Sequence, residues 1–369
     1  MAACKPMTIL AATIFAAGFS TITPVSACTD FRVIAKDGTI LITRSMEFGT
    51  DMKSNLHSAS QQRAFTNTTP NGKPGLSWKA KYGYLYLDGM NIDTALDGMN
   101  EAGLALEALY LPGEAEYQTV PDGQESQGIS YVHFGDWILG NFQSIDEIKQ
   151  ALPKVFVYAE KIQGFGDMVF PLHFIINDVS GKSIVVEYVA GKLNIYDDVV
   201  GVATNSPTYA WHVTNLRNYV NLSPMTPKPV KADGMIFTAT GQGSGMFGLP
   251  GDPSPPSRFV KTAVMLAAAT PANDMPSAIN LAEHIINNVD LPIGFVRDNS
   301  SGQMVSDYTQ WVVFKDLTHK VFYFRTYGNM TLRSISLGKI NFSNDAPMLK
   351  MPLESPAYIQ DITDTFLKH

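Results

Sequence analysis

Along most of the chain, apolar and β-branched residues gather in short runs divided by turn residues, the pattern of strands, and helical spacing is confined to a few stretches. Residues 30–35 and 39–48 are two such runs joined by Lys36-Asp37-Gly38, whose Asp-Gly pair favours a tight hairpin. The polar stretch 51–73 predicts a surface loop, and 78–88 predicts a strand carrying Tyr82, Tyr84, Leu85, Tyr86 and Leu87. Residues 97–103 read as turn chemistry before an apolar run at 104–111, which Pro112-Gly113 ends, and 113–128 predicts a second polar loop placed to overhang a site. Apolar spacing predicts a helix over 129–142, and Ser144 three residues before Glu147 is a capping-box pattern opening a short helix to about 152. Runs at 172–178, 183–189 and 193–197, with Ser180-Gly181 and Ala190-Gly191 between them, predict an antiparallel meander. Residues 199–204 lead into Asn205-Ser206-Pro207 and a helix over 213–222, and then come Pro- and Gly-rich loops at 224–229 and 241–256. Helices are expected over 258–269 and 277–289, a hairpin over 308–314 and 320–327, and a last strand over 332–340. Strand pairs, a helical middle and strands again predict an α+β protein with helices covering antiparallel sheets.

The first 27 residues break this pattern. Lys5 gives a short positive start, residues 7–19 are apolar, and Val25-Ser26-Ala27 sets small residues before a cut, the parts of a secretory signal. Gly18, Ser20, Thr21, Thr23 and Pro24 interrupt the apolar run too early for a membrane span. The expected organisation is a signal peptide over 1–27 and one domain over 28–369, soluble in the periplasm or secreted. Of the 27 Lys and Arg residues only Lys5 lies in the leader, which leaves 26 against 34 acidic side chains. That balance disfavours nucleic acid as a partner, since phosphate binding needs clustered cations.

The two cysteines are Cys4 and Cys28, so a cut after Ala27 leaves one thiol, at position one. No internal disulfide and no cysteine-based zinc site can then form. A thiol attacks as thiolate, and an α-amine titrating near ~7.7–8.0 is a usable base at neutral pH, so Cys28 would hold nucleophile and base in one residue. The same four residues, Val25 to Cys28, also fit a lipoprotein signal, in which Cys28 is lipidated and serves as the tether of a binding protein. Against that, residues 31–35 read at once as a strand, where a tether is normally followed by a flexible polar linker. An acyl-transfer centre also needs donors for an oxyanion. The hairpin returns Arg44 and Glu47 towards Cys28, and Asn205 is an uncharged donor at the end of an apolar run. The plainer reading of Arg44 with Glu47 is an ion pair on a sheet face. Gly243-Ser244-Gly245-Met246-Phe247-Gly248 matches the dinucleotide pattern, but Pro250, Pro253, Pro255 and Pro256 argue against the helix start which that fingerprint requires.

Cys28-Thr29-Asp30-Phe31-Arg32 followed by Arg44-Ser45-Met46-Glu47-Phe48 resembles the cholylglycine hydrolase and penicillin V acylase family of N-terminal nucleophile (Ntn) hydrolases, of the exported Gram-negative type. The resemblance continues through Asp97 to Leu104, Lys182 to Glu187, Ala203 to Thr208, Asn215 to Tyr219 and Gly248 to Val260. It implies an αββα sandwich that hydrolyses linear amides outside the peptide bond, without metal or organic cofactor. By position it implies Cys28 as nucleophile, Arg44 and Arg258 as charged groups beside it, and Asn205 with the Tyr110 backbone N–H as oxyanion donors. Tyr110 tilts the resemblance towards penicillin V acylases, since bile salt hydrolases tend to have asparagine there. Glu47 stands where the family usually has aspartate, one methylene shorter. Phe48 stands where exported acylases often have tryptophan, and with Tyr110 it would contact substrate.

The expectation is therefore a hydrolase of small acyl amides: penicillin V, conjugated bile acids or acyl-homoserine lactones. Membrane association would follow only from lipidation of Cys28, and homo-oligomerisation is left open.

Overall fold

The computed structural model describes residues 26–162, 167–299, 302 and 304–367. The expected signal lies outside the described residues but for its last two, which open the first strand.

Two antiparallel sheets face each other with helices on both outer sides, an αββα sandwich. The first sheet runs in the order Val202–Ala203, Ser26–Ile34, Ile40–Phe48, Val305–Asp316, Val321–Thr326, Arg333–Ser336, with Val296–Asp298 also pairing Val305–Asp316. The second runs Lys192–Asp197, Ser183–Val189, Leu172–Asn177, Ala105–Tyr110, Ile92–Asn100, Tyr84–Gly89, Asn55–Ala59, Lys350–Pro352. Helices Pro255–Ala268 and Met275–Ile286 cover the first sheet, and Phe134–Asn141 and Ile145–Ala151 cover the second.

Strand alternation builds this layering. In the second sheet Leu87, Leu109, Ile175 and Val185 face the first sheet, while Tyr86, Phe174, Ile176 and Val186 face the helices. Because both faces are covered, Ile40–Phe48 is buried at all its positions. Each fully buried large apolar side chain, such as Phe31 or Phe314, contributes about 1.5–3 kcal/mol.

The first hairpin forms as its Asp-Gly pair predicts, with Gly38 at φ +87° and Cys28 directly opposite Met46. Four local expectations are corrected. The polar stretch 51–73 contains strands Asn55–Ala59 and Ala64–Thr68, whose polar residues are paired across the sheet or lie on its solvent side. Residues 78–88 are two strands, Pro74–Lys79 and Tyr84–Gly89. Asp97 to Asn100, read as a turn, ends strand Ile92–Asn100, because Gly98 is needed there for close packing: a Cβ would lie 2.4 Å from Leu85 O. The prolines do not bar a helix: one starts at Pro255, where a first-turn proline has no intrahelical N–H to lose, although it opens seven residues beyond the glycine run.

A buried ionic network joins the sheets. Lys315 Nζ, from the first sheet, lies 2.8 Å from both Asp97 carboxylate oxygens and 2.5 Å from Glu107 Oε1. Asp97 Oδ2 also takes Arg44 Nη1 at 3.2 Å, and Glu107 Oε2 accepts from Asn177 Nδ2 at 3.1 Å. All four charged side chains are fully buried. Replacing Lys315 with Met strands two buried carboxyls and is expected to cost about 3–5 kcal/mol. Urea unfolding at pH 7 measures this, and a loss below about 1 kcal/mol would contradict it.

Candidate active site

Cys28 is the third residue of the first strand and is 1% exposed. Opposed residues of an antiparallel pair share a face, so its thiol points with Met46, whose Sδ is 3.9 Å from Sγ, into the space between the sheets. Arg44, two residues before Met46, is on the same face, and its Nη2 also lies 3.9 Å from Sγ. The Arg44 guanidinium is held from the opposite sheet by Leu96 O at 3.0 Å, Asp97 Oδ2 at 3.2 Å and Ala108 O at 2.6 Å. It stacks over the Trp311 ring with Cζ 5.0 Å from the centroid. Burial opposes the Arg44 charge, but the Cys28 thiol and Asp97 outweigh it and hold the guanidinium above its ordinary pKa.

The backbone of Cys28 is gripped from the outer, helical side. Arg258, buried in the first turns of its helix, donates through Nη1 to Cys28 O and to Thr29 Oγ1, the latter at 2.6 Å. Its Nη2 reaches Asn205 Oδ1 at 2.8 Å and its Nε reaches Pro253 O at 2.9 Å. Asn205 arrives through the edge strand Val202–Ala203, which pairs Ala203 with Asp30. Carrying that register two residues on brings Asn205 level with Cys28, where Oδ1 accepts from Cys28 N at 2.6 Å. Asn205 Nδ2 donates to Tyr110 O at 2.8 Å, which ties the site to the second sheet.

Five of the six residues implied by the resemblance as catalytic are thus linked by contacts: Cys28, Arg44, Tyr110, Asn205 and Arg258. The sixth, Glu47, lies opposite Ala27. The expected Arg44–Glu47 ion pair does not form, because residues three apart in a strand leave on opposite faces and Arg44 pairs with Asp97 instead. Glu47 accepts from Thr309 Oγ1 at 2.7 Å and Ser45 Oγ at 3.0 Å. Burial pushes its carboxyl up to about 8 against the pull of Arg258 and these two bonds.

Beside the thiol opens a cavity with about 690 Å³ of empty volume, open solvent included, lined by Phe48, Met52, Tyr110, Tyr131, Phe170 and Leu172 among others. Phe48 and Tyr110 meet there edge to face, centroids 6.2 Å apart. Burial raises the Tyr110 phenol to about 12, so it is neutral at physiological pH. Among the described residues no cluster of His, Cys, Asp and Glu is arranged to hold a metal ion.

Reading the sequence missed Asp97 as the anchor of Arg44, and missed Lys315 and Thr309. Asp97 was masked by its turn-like Asp-Gly pair. A lysine inside a long strand-like run, next to Phe314, was the one available hint of Lys315, whose partners come from the other sheet.

The family of linear amide C–N hydrolases, choloylglycine hydrolase family, matches residues 28–351. The chain is 36% identical over 326 residues to a bile salt hydrolase/transferase of Clostridium perfringens, covering 86% of this chain and 94% of that one. It is 26% identical over 322 residues to a penicillin V acylase of Pectobacterium atrosepticum, covering 82% and 78%. A solved structure of a mutant conjugated bile acid hydrolase from Clostridium perfringens aligns with a TM-score of 0.80 at 31% identity, over 91% of this chain and 100% of that one. The penicillin V acylase from Agrobacterium tumefaciens aligns with a TM-score of 0.71 at 26% identity, over 89% and 92%. With Cys28 opening the matched segment and the sandwich shared throughout, the chain belongs to the choloylglycine hydrolase family of linear amide C–N hydrolases.

Proposed function

We propose that the working enzyme begins at Cys28, after export and cleavage behind Ala27, and hydrolyses an amide between an apolar acyl group and a small amine. The observation that carries this reading is the two-sided setting of Cys28: its sulfur faces an apolar cavity and Arg44, while its nitrogen is held on Asn205. The family match that starts at residue 28 supports it.

In this reading the acyl group occupies the cavity and the thiol proton passes to the α-amine of Cys28. Arg44 Nη2 stabilises the thiolate as it attacks the carbonyl carbon. The oxyanion is taken by the second Nδ2 hydrogen of Asn205, the first being donated to Tyr110 O, and by Tyr110 N–H. A residue's N–H and C=O leave an antiparallel strand on the same edge, so Tyr110 N–H points the way its carbonyl does, towards Asn205. Collapse returns the proton from the α-ammonium to the departing amine and leaves a thioester. Water, deprotonated by the same amine, then releases the acid. Arg258 keeps Cys28 O and Asn205 Oδ1 in register throughout.

The Tyr110 and Phe48 rings, edge to face on the cavity wall, offer aromatic contacts that suit a flat aromatic acyl group better than a fused-ring steroid. Penicillin V therefore ranks first, conjugated bile acids second and acyl-homoserine lactones third. Tyr110→Ala is expected to raise bile-salt turnover relative to penicillin V turnover, and an unchanged or lower ratio in steady-state assays would reverse the ranking.

Cys28→Ala is expected to abolish turnover with the circular dichroism spectrum unchanged, and Asn205→Ala to lower kcat about 10²–10³-fold. Substantial turnover by folded Cys28→Ala would sink the assignment. The intact mass of the exported protein separates this reading from the lipid-anchored one: residues 28–369 with a free amine support the hydrolase, and an added diacylglyceryl group supports the tether.

Glu47 makes the uncut chain sensitive to pH. Its folded pKa of about 8 lies above the unfolded value of about 4.3. The stability attached to its protonated form is thus full below pH ~4 and is lost as pH rises through about 8. Full-length chain kept uncut by cytoplasmic production should therefore lose thermal stability between pH 5 and about 8 faster than its Glu47→Gln variant. Parallel melting curves for the two would contradict the raised carboxyl.

A further inference from the structure

Asn205 must aim an amide hydrogen beside Sγ, yet the sheet stops holding its strand at Ala203, two residues earlier. Beyond that point its backbone carbonyls are held by a pair of imidazoles. His173, on strand Leu172–Asn177, brings Nε2 to 2.9 Å from Thr204 O, with its Nδ1 3.2 Å from Glu187 Oε1. His212, on helix Tyr209–Asn215, brings Nε2 to 2.8 Å from Asn205 O and 3.5 Å from Thr204 Oγ1. Thr204 C=O belongs to the peptide plane before the Asn205 Cα and Asn205 C=O to the plane after it. Holding both carbonyls constrains both backbone dihedrals of Asn205 and so the direction of its Cα–Cβ bond, the base from which the contacts to Cys28 N, Arg258 and Tyr110 O set the amide.

The protonation of His212 follows from its surroundings. Burial lowers its pKa to about 4, so the ring is neutral at working pH. A neutral imidazole has one N–H, and a carbonyl can only accept. The hydrogen is therefore on Nε2, and the partnerless buried atom is the Nδ1 lone pair. The ring plane is set by Phe259, stacked at 4.7 Å and 12°, and Phe259 follows Arg258 in the helix that grips Asn205 Oδ1.

We propose that His212 is a positioning residue for the oxyanion donor: its Nε2–H on Asn205 O, with His173 on Thr204 O, orients the Asn205 amide towards the tetrahedral intermediate. This rests on the reading of Asn205 as oxyanion donor and Cys28 as nucleophile. The ring does not touch substrate and moves no proton in the reaction.

The test uses mature enzyme and the fastest-turned-over amide among penicillin V, glycocholate and an N-acyl-homoserine lactone. His212→Phe keeps a ring against Phe259 and removes the donor; His212→Gln keeps a donor. The expected result for His212→Phe is a kcat lowered about 10- to 100-fold with KM within about twofold, less than the loss from deleting the donor outright. Alkylation of Cys28 by iodoacetamide should stay within about twofold of wild type, because displacement at a saturated carbon develops no oxyanion. His212→Gln should recover kcat to within about threefold of wild type.

A folded His212→Phe enzyme with wild-type kcat overturns the proposal, and so does a parallel fall in alkylation, which would mark a merely structural role. If His212→Phe does not fold, His212→Gln decides alone: recovered kcat supports the proposal, and a folded Gln variant at least about tenfold slower with normal alkylation overturns it. Cys28→Ala, assayed alongside, separates the two levels: turnover without the thiol refutes the hydrolase mechanism itself, whereas wild-type kcat in His212→Phe refutes only the positioning role.

Discussion

Arg44 carries a charge into the space between two sheets, where burial alone would be prohibitive, and the architecture around it answers that cost. Asp97 pairs with it, two carbonyls of the opposite sheet accept from it, and Trp311 lies under its face. Asp97 in turn needs Lys315, and Lys315 needs Glu107, so one buried cation recruits a network spanning both sheets. Such networks contribute little net stability compared with apolar packing, because desolvation consumes most of the attraction. What this one does provide is register: the second sheet cannot slide without breaking contacts that hold Arg44 at the thiol.

The period of a β-strand then divides the labour around Cys28. Side chains at 28, 44 and 46 face inward to the cavity and the ionic network, whereas 27, 29, 45 and 47 face the helices. One strand pair therefore presents a sulfur to an apolar chamber and a backbone nitrogen to a polar clamp of Asn205 and Arg258. The cavity side is thus mainly apolar apart from Arg44, and the polar contacts of the Cys28 backbone lie on the other side of the same residue.

The relatives illustrate how loosely this arrangement constrains the ligand. Proteins described as bile salt hydrolase/transferase and as penicillin V acylase share the sandwich with this chain. The family shares linear amide C–N hydrolysis, and in the proposed reading the side chains walling the cavity, Phe48 and Tyr110 among them, decide acyl preference. The histidines behind Asn205 touch the backbone at Thr204 and Asn205 and are not among the residues lining the cavity.

Local sequence carried the hairpin at Asp37-Gly38, the meander over 172–197, the Ser144 cap and the order of the site motifs, because each depends on residues within one turn or strand pair. It also set Cys28 apart, as the one cysteine after position 4. It misread 51–73 as loop and 97–100 as turn, since polar strands and an Asp-Gly inside a sheet look like loops until a second sheet covers them. The sequence by itself determined the chemistry available to this protein: a cysteine at the start of the family motifs, two arginines and an asparagine in recognisable motifs. Only the tertiary structure decided which of these groups meet, because the acceptors that hold Arg44 in the opposite sheet lie from 52 to 64 positions away and the side chains that hold the Cys28 backbone at 177 and 230. Separations of that size are closed by sheet packing, for which no local pattern in the chain is a sufficient sign.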